Sequence, residues 1–540
     1  VQAAQKLALL LDQVVGYRPT RPDGETLTSV LEAAAGFATR VLGPLGPVGD
    51  RVGCRIVAGR VSMPPGYREA WAAYSGEGWA GVTAPEAAGG QALPMALASA
   101  VQILLDRSDV AFGMLAINAR CATRLLAQHA GNAAASAWMA PLSRGQAAAT
   151  ICISEPQAGS DVGRIRTRAR PMPDGTARIS GEKCWISFGD HDLTDDIVHV
   201  LLARDEGAPA GTQGLSLYLV PRRLHGGRSE NGIKVLRIEE KLGLHASPTC
   251  GLGFEDAVGY PIGPAGRGLP TLFAMIVAMR VGVAAQGAAL ALAAAEIAEG
   301  YARERGQGGD PKGPPTPIIA HADVRRLLLA GHVRAEVAVL LALEAAAAVD
   351  AADAGDARAH AAAQVLLPIA KTVCSEAAFA AADTGIQILG GAGVVKDWPL
   401  ERMLRDCRVF SIYEGTTAMQ GLDLLQRRVL GKEGPAALEA LLSELPAAAG
   451  LVTTLGAVIG HLAVAPRRRQ EAAAVPFLGL AGLAIGSGLL NRAAERAGPL
   501  ADRYRALAET HDDDARHRAA LLAAECMSDA LDRRFDDVFR

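Results

Sequence analysis

The chain has 540 residues, half of them hydrophobic, with a formal net charge of −3. That length can bury several domains' worth of core, and the near-balanced charge supplies no global basic field for nucleic acid. Its eight cysteines stand at 54, 121, 152, 184, 250, 374, 407 and 526 with no CxxC or Cys/His cluster, which argues against a zinc site or disulfide framework and predicts a reducing, cytoplasmic setting without a structural metal. Residues 1–17 lack the basic and apolar regions of a signal peptide, so none is expected.

Taken in order, residues 1–148 read as a helical domain, with helices near 28–43, 66–77, 94–108 and 112–130. The stretch GEGWAGVTAPEAAGGQALP at 76–94 interrupts them with Gly and Pro. Over 149–262 the pattern changes to short β-rich runs, TICIS, ARISGEKCWISF, DIVHVLLAR, LSLYLVP and GLGFED, separated by turns at 173–175 and 231–232. So many short strands predict a small barrel or sandwich, and no Rossmann fingerprint accompanies them.

Residues 263–430 return to long Ala-rich helices near 269–305, 320–354, 357–387, 399–408 and 417–430, the content of a helical bundle. Residues 431–540 predict helices near 435–463 and 472–497 and a charged amphipathic pair near 499–540. Two uncharged runs, 445–466 and 472–491, are long enough to cross a membrane. They are rich in Ala, Gly, Ser and Thr, one contains His461, and neither has an aromatic belt, so buried domain helices are the expectation. The fold class expected is mainly α with a central β domain.

The stretch RDCRVFSIYEGTTAMQ at 405–420 places one carboxylate, Glu414, between an apolar aromatic piece and a glycine. Burial there would raise its proton affinity toward that of a general base. On residue type alone it reads equally as a loop glutamate capping the next helix.

IYEGT does not stand alone. CISEPQAGSDVG at 152–163 and GIQILGGAGV at 385–394 precede it, and in this order and spacing the three resemble the motifs of the acyl-CoA dehydrogenases. The resemblance implies an N-terminal helical domain, a β-barrel at 149–262, a helical bundle at 263–430 and an additional C-terminal helical domain at 431–540. It implies FAD as cofactor and α,β-dehydrogenation of an acyl-CoA thioester to the trans-2-enoyl-CoA. Glu414 would take the α-proton while the β-hydrogen leaves as hydride to flavin N5. The thioester carbonyl would be polarised by the base's own N–H and a ribityl hydroxyl.

By the same resemblance, Ser154 donates to the flavin ring and Ser160 lies near the flavin and CoA phosphates. Trp185 covers the isoalloxazine, and Ser187 reaches N5. Arg305 and Gln307 reach a neighbouring subunit's FAD. Gln387, Gly390 and Gly391 meet its adenine end or pyrophosphate, and Thr416 lies near the pyrophosphate. Gly415 runs along the substrate, and Arg280 supports the base's loop and the acyl-CoA. A family variant that carries its base beside Arg280 is not matched, because residues 279–281 hold no carboxylate.

Finer likeness at 188–221 and 238–256 points to a longer bacterial branch with the extra C-terminal domain, which includes 3-methylmercaptopropionyl-CoA and general fatty acyl-CoA dehydrogenases. The acyl group therefore stays open. The partners implied are an electron-transferring flavoprotein as acceptor and a second copy of the chain in a homodimer. An acyl-CoA oxidase using oxygen is an alternative. A DNA-associated stress flavoprotein is another, but the charges of 467–540 balance where a basic stripe would be needed. Peripheral membrane association through 445–491, as in very-long-chain relatives, is compatible with the leading reading but not favoured.

Overall fold

The computed structural model describes residues 2–17, 23–224, 229–432 and 434–528; the end of the expected 499–540 pair lies outside them. Two compact units result. One is built from Gly36–Leu93 and Ser108–Met279, the other from the described parts of Val1–Ala35, Pro94–Arg107 and Arg280–Arg540.

The first unit holds a small hairpin, β1 (Arg55–Val57) and β2 (Arg60–Ser62), followed by β3 (Ala147–Cys152), β4 (Arg168–Pro171), β5 (Ala177–Ser187), β6 (Asp196–Asp205), β7 (Leu215–Pro221), β8 (Ile233–Ile238) and β9 (Thr249–Ile262). Pairing runs from β6 through β4, β5, β9 and β7 back to β6, so the sheet closes into a barrel. β3 extends the β6 edge in parallel, and β8 lies against β9. Closure removes the unpaired edges that would otherwise invite other strands.

The strands β6 and β7 show why the barrel forms here. Val198, Val200 and Leu202, with Leu215, Leu217 and Leu219, pack with Leu125, Leu126 and Met275 of the neighbouring helices. The alternate residues Leu201, Ala203, Tyr218 and Val220 fill the other face with Ile179, Leu252 and Phe254. Both faces of these strands are covered, so the runs are mainly apolar instead of alternating, with His199 and Ser216 as buried polar exceptions. Beside the barrel, Trp71, Tyr74 and Phe112 form an aromatic cluster with ring centroids 5.2–5.8 Å apart. Asp109 caps the Val110–His129 helix through the Ala111 and Phe112 N–H groups.

The second unit is helical. Ala322–Asp353 and Ala357–Leu389 form an antiparallel pair, with Asp356 capping the second helix. Gly287 lets the Gly268–Glu304 helix cross closely, since a Cβ there would lie 2.4 Å from the Cys374 carbonyl oxygen. Arg467–Arg496 and Ala501–Met527 pack as a second helical pair.

Element ends differ from the sequence expectation for local reasons. The 435–463 helix divides into Ala436–Ser443 and Ala449–Ala463 around Pro446, which lacks the N–H a continuing helix needs. The 417–430 helix becomes Thr417–Leu422 followed by a wider π turn, Asp423–Val429. The expected charged pair is, as far as described, one helix, Ala501–Met527. Of the two uncharged runs, 472–491 lies in the Arg467–Arg496 helix, whose most apolar stretch is 83% buried inside the molecule.

Candidate active site

The barrel unit assembles four of the expected residues. Ser154 follows β3, and its carbonyl accepts the Cys184 N–H at 3.0 Å, which sets it beside Trp185 of β5. At Trp185 the pairing of β5 with β9 shifts register between Lys183 and Ile186. The bulge puts Trp185 at φ +59° and turns it outward, 57% exposed. A bulky residue held there costs about 1–3 kcal/mol, which the surrounding strand pairing must offset. Two residues on, the Ser187 carbonyl accepts from Asn118 Nδ2 at 3.4 Å. Among the described residues the hydroxyls of Ser154 and Ser187 have no partner. Ser160 is exposed in the following loop.

Behind Ser154, Glu155 and Lys183 meet at 2.9 Å with side chains almost wholly buried. Glu155 also accepts from Thr167 Oγ1 at 2.6 Å and from the N–H groups of Arg166 and Thr167. These bonds lock the turn that carries Ser154.

In the helical unit the Glu414 loop is held from several sides. Glu414 has φ +54° and Gly415 φ +91°. Gln420 Nε2 donates to the Glu414 carbonyl at 2.9 Å, and Lys371 Nζ donates to the Gly415 carbonyl at 2.7 Å. Tyr413 Oη donates to Gln286 Oε1 at 2.5 Å, tying the preceding residue to the Gly268–Glu304 helix. The helix after the loop is capped by Thr416, whose hydroxyl accepts the Met419 N–H at 3.4 Å. Glu414 is therefore not the cap.

Glu414 keeps some surface open while dense protein surrounds its carboxyl. Burial pushes that carboxyl above the usual range, and the nearby charges of Lys371 and Arg280 only partly oppose the shift. Arg280 in turn bonds Asp423 at 2.8 Å, so its charge is compensated. Arg280, Glu414, Gly415 and Thr416 thus belong to one constellation.

The remaining expected residues lie elsewhere in the same unit and are exposed. Arg305 and Gln307 leave the Gly268–Glu304 helix in a segment folded back on 316–318, with the Gln307 N–H on the Thr316 carbonyl at 2.8 Å. Gln387, Gly390 and Gly391 end the Ala357–Leu389 helix. Gly390 has φ +60°, and a Cβ at either glycine would meet nothing within 4 Å. Among the described residues no hydrogen bond or ion pair joins either group to Glu414.

Sequence reasoning misses Lys371, Gln420, Asp423 and the Glu155–Lys183 pair. Lys371 carries a signal: it is the one charge in the run VLLPIAKTVCS, and a lone lysine in an apolar helix is either snorkelling or partnered.

Residues 150–257 match the acyl-CoA dehydrogenase middle domain, and residues 266–430 match the acyl-CoA dehydrogenase C-terminal domain. The 3-methylmercaptopropionyl-CoA dehydrogenase of Ruegeria pomeroyi is 37% identical over 485 residues, covering 84% of this chain and 82% of that protein. The broad-specificity linear acyl-CoA dehydrogenase FadE5 of Mycobacterium tuberculosis is 35% identical over 398 residues, 70% of this chain and 65% of that one. Among solved structures, an acyl-CoA dehydrogenase from Bacillus anthracis complexed with FAD shares the fold, with a TM-score of 0.77 at 19% identity over 99% of this chain and 95% of that one. With two domain matches in order and a relative this similar over most of both lengths, the chain belongs to the acyl-CoA dehydrogenase family.

Proposed function

We propose that the chain catalyses the FAD-dependent α,β-dehydrogenation of an acyl-CoA thioester to the trans-2-enoyl-CoA, with Glu414 taking the α-proton. The observation that carries this reading is the Glu414 carboxyl itself, desolvated, raised and presented on a strained turn. An α-proton of a thioester is weakly acidic, and a carboxylate can remove it only when its proton affinity is raised and the carbonyl is polarised. The left-handed turn fixes the direction of the base's own N–H, the donor that would serve that carbonyl.

The residues of the barrel fit a flavin. An exposed indole, a hydroxyl on the turn tied to its strand and another two residues on offer a flat apolar face with hydrogen-bond donors at its margin. When bound, FAD supplies the acceptor for the β-hydrogen, which leaves as hydride. An electron-transferring flavoprotein would then take the two electrons onward. The activities of these relatives, on a methylthio acyl-CoA and on linear acyl-CoAs, support an acyl-CoA substrate and leave its chain open.

The test is anaerobic addition of straight-chain and methylthio acyl-CoAs to the FAD-loaded protein while flavin absorbance is followed. Bleaching in the wild type and its loss by roughly 10²–10⁴-fold in rate in Glu414→Gln, with FAD retained, is the expected result. A yellow protein that no acyl-CoA bleaches would overturn the proposal.

A further inference from the structure

We propose that Lys371 is the positioning residue of the base: it fixes the Glu414 turn through the Gly415 carbonyl, and its ammonium balances the charge of the Glu414 carboxylate. The inference rests on the reading of Glu414 as the base.

The geometry is specific. Lys371 is fully buried in the middle of the Ala357–Leu389 helix. Burying an ammonium costs several kcal/mol unless it is answered. Among the described residues its Nζ makes one hydrogen bond, to the Gly415 carbonyl at 2.7 Å. The acceptor is a neutral peptide in a turn whose two residues, Glu414 and Gly415, both have positive φ. Gln420, from the next helix, holds the preceding carbonyl, that of Glu414, at 2.9 Å. Two successive carbonyls are therefore gripped from two different helices. This is how a left-handed glutamate, disfavoured by itself, is kept in a single conformation.

The charges around the ammonium single out Glu414. The groups that act on Lys371 are Glu414 from the loop, Arg280 from the Gly268–Glu304 helix and Glu376 from its own helix. Arg280 is matched by Asp423 at 2.8 Å. Burial raises the Glu376 carboxyl, and it shares the influence of Lys371 with Arg518. What remains is a buried ammonium and a largely desolvated carboxylate, each acting first on the other among the surrounding charges. Burial pulls Lys371 down to about 8, so it is still mainly charged at neutral pH and can offset the cost of ionising Glu414.

The full-length FAD-loaded protein tests this through Lys371→Gln, which keeps a donor for the Gly415 carbonyl and removes the charge, and Lys371→Arg, which restores the charge. The readout is the protonated-carboxyl infrared band of Glu414, isolated as wild type minus Glu414→Gln and titrated with pH in the absence of acyl-CoA. Lys371→Gln should move the Glu414 midpoint up by about one pH unit, roughly tenfold in proton affinity, and Lys371→Arg should return it toward the wild-type value. The acid limb of flavin bleaching should move by the same amount, with kcat affected more than KM. An unmoved midpoint in folded Lys371→Gln overturns the proposal. Should Lys371→Gln not fold, Lys371→Arg decides: a midpoint near that of the wild type supports the charge role, and one displaced by a unit overturns it. Failure of the base reading is separate, since it would leave the wild-type flavin unbleached whatever the carboxyl midpoint does.

Discussion

Lys183 and Glu155 form an enclosed ion pair within the barrel unit, Nζ to Oε1 at 2.9 Å, with side chains 0% and 3% exposed. Lys183 also donates to the Ile153 carbonyl at 2.9 Å, so the pair brackets Ser154 on both sides. Burial pulls the ammonium down against the pull of Glu155, while five donors on the carboxylate hold Glu155 in its ionised form. Removing one partner leaves an uncompensated buried charge. Lys183→Met should cost about 3–5 kcal/mol in urea unfolding and weaken FAD retention at denaturant concentrations where the fold survives. A loss within experimental error would show that the pair is dispensable to the turn.

The same carboxylate predicts acid behaviour. Burial by itself would raise Glu155, but the Lys183 charge, the Thr167 hydroxyl and the Arg166 N–H reverse this and bring it to about 2. Glu336, against Lys6 and Arg503, is also brought to about 2. A carboxyl held below its unfolded value contributes stability that is complete above about 4.5 and is lost as the pH falls toward about 2. Denaturant midpoints measured through that window should fall in the wild type and fall less steeply in Glu155→Gln. Parallel curves would contradict the assignment.

Glu414 has the opposite sign. Its folded proton affinity is raised, so above its ordinary value near 4.5 the folded protein binds a proton that the unfolded chain releases, and stability declines as pH rises through that window. Glu414→Gln removes this penalty. The variant should be more stable than the wild type at alkaline pH by about 1 kcal/mol, the order of gain expected when a desolvated charge at a functional position is replaced by a neutral group. The difference should close below the ordinary carboxylate range. Calorimetric melting at several pH values measures both ends.

How much of this is legible in the sequence depends on distance along the chain. The Glu414 loop is legible because its chemistry is contiguous: aromatic, carboxylate, glycine and hydroxyl fall within five positions. The strands β6 and β7 are legible because both faces are mainly apolar. The strands β4 and β8 are not, because their exposed Arg168, Arg170 and Arg237 interrupt the pattern that marks a strand. The grip of Lys371 on Gly415 spans 44 residues and that of Lys183 on Glu155 spans 28. A lysine is written the same whether it snorkels to water or points at a carbonyl, so only packing distinguishes the two.

Gly415 is predicted to tolerate no side chain. At φ +91° an L-residue is strained, and a Cβ would lie 2.8 Å from Gln420 Nε2, the donor that holds the Glu414 carbonyl. Gly415→Ala must therefore displace either the turn or Gln420. A displacement on the order of 1 Å at the base should lower the rate of flavin bleaching roughly 10²-fold. FAD occupancy, set by other residues, should be retained. Stopped-flow absorbance with the preferred acyl-CoA measures the first and the flavin-to-protein ratio the second; an unchanged rate would show that the turn does not position the base.

The C-terminal helices should be as necessary to the helical unit as the bundle itself. Arg492 of the Arg467–Arg496 helix reaches Glu344 of the Ala322–Asp353 helix at 2.5 Å, with side chains 6% and 2% exposed. The Gly16 N–H donates to the same carboxylate at 2.9 Å, and a Cβ at Gly16 would lie 2.7 Å from Arg492 Nη1. Three distant segments thus meet at one carboxylate that water does not reach. Arg492→Met leaves the buried Glu344 carboxylate with only a backbone donor and should cost about 3–5 kcal/mol. The double variant Glu344→Gln with Arg492→Met removes both charges and should recover most of that loss, because the penalty lies in the orphaned partner and not in the missing pair. Equilibrium urea unfolding of the two single variants and the double gives the coupling directly, and strictly additive losses would sink the argument.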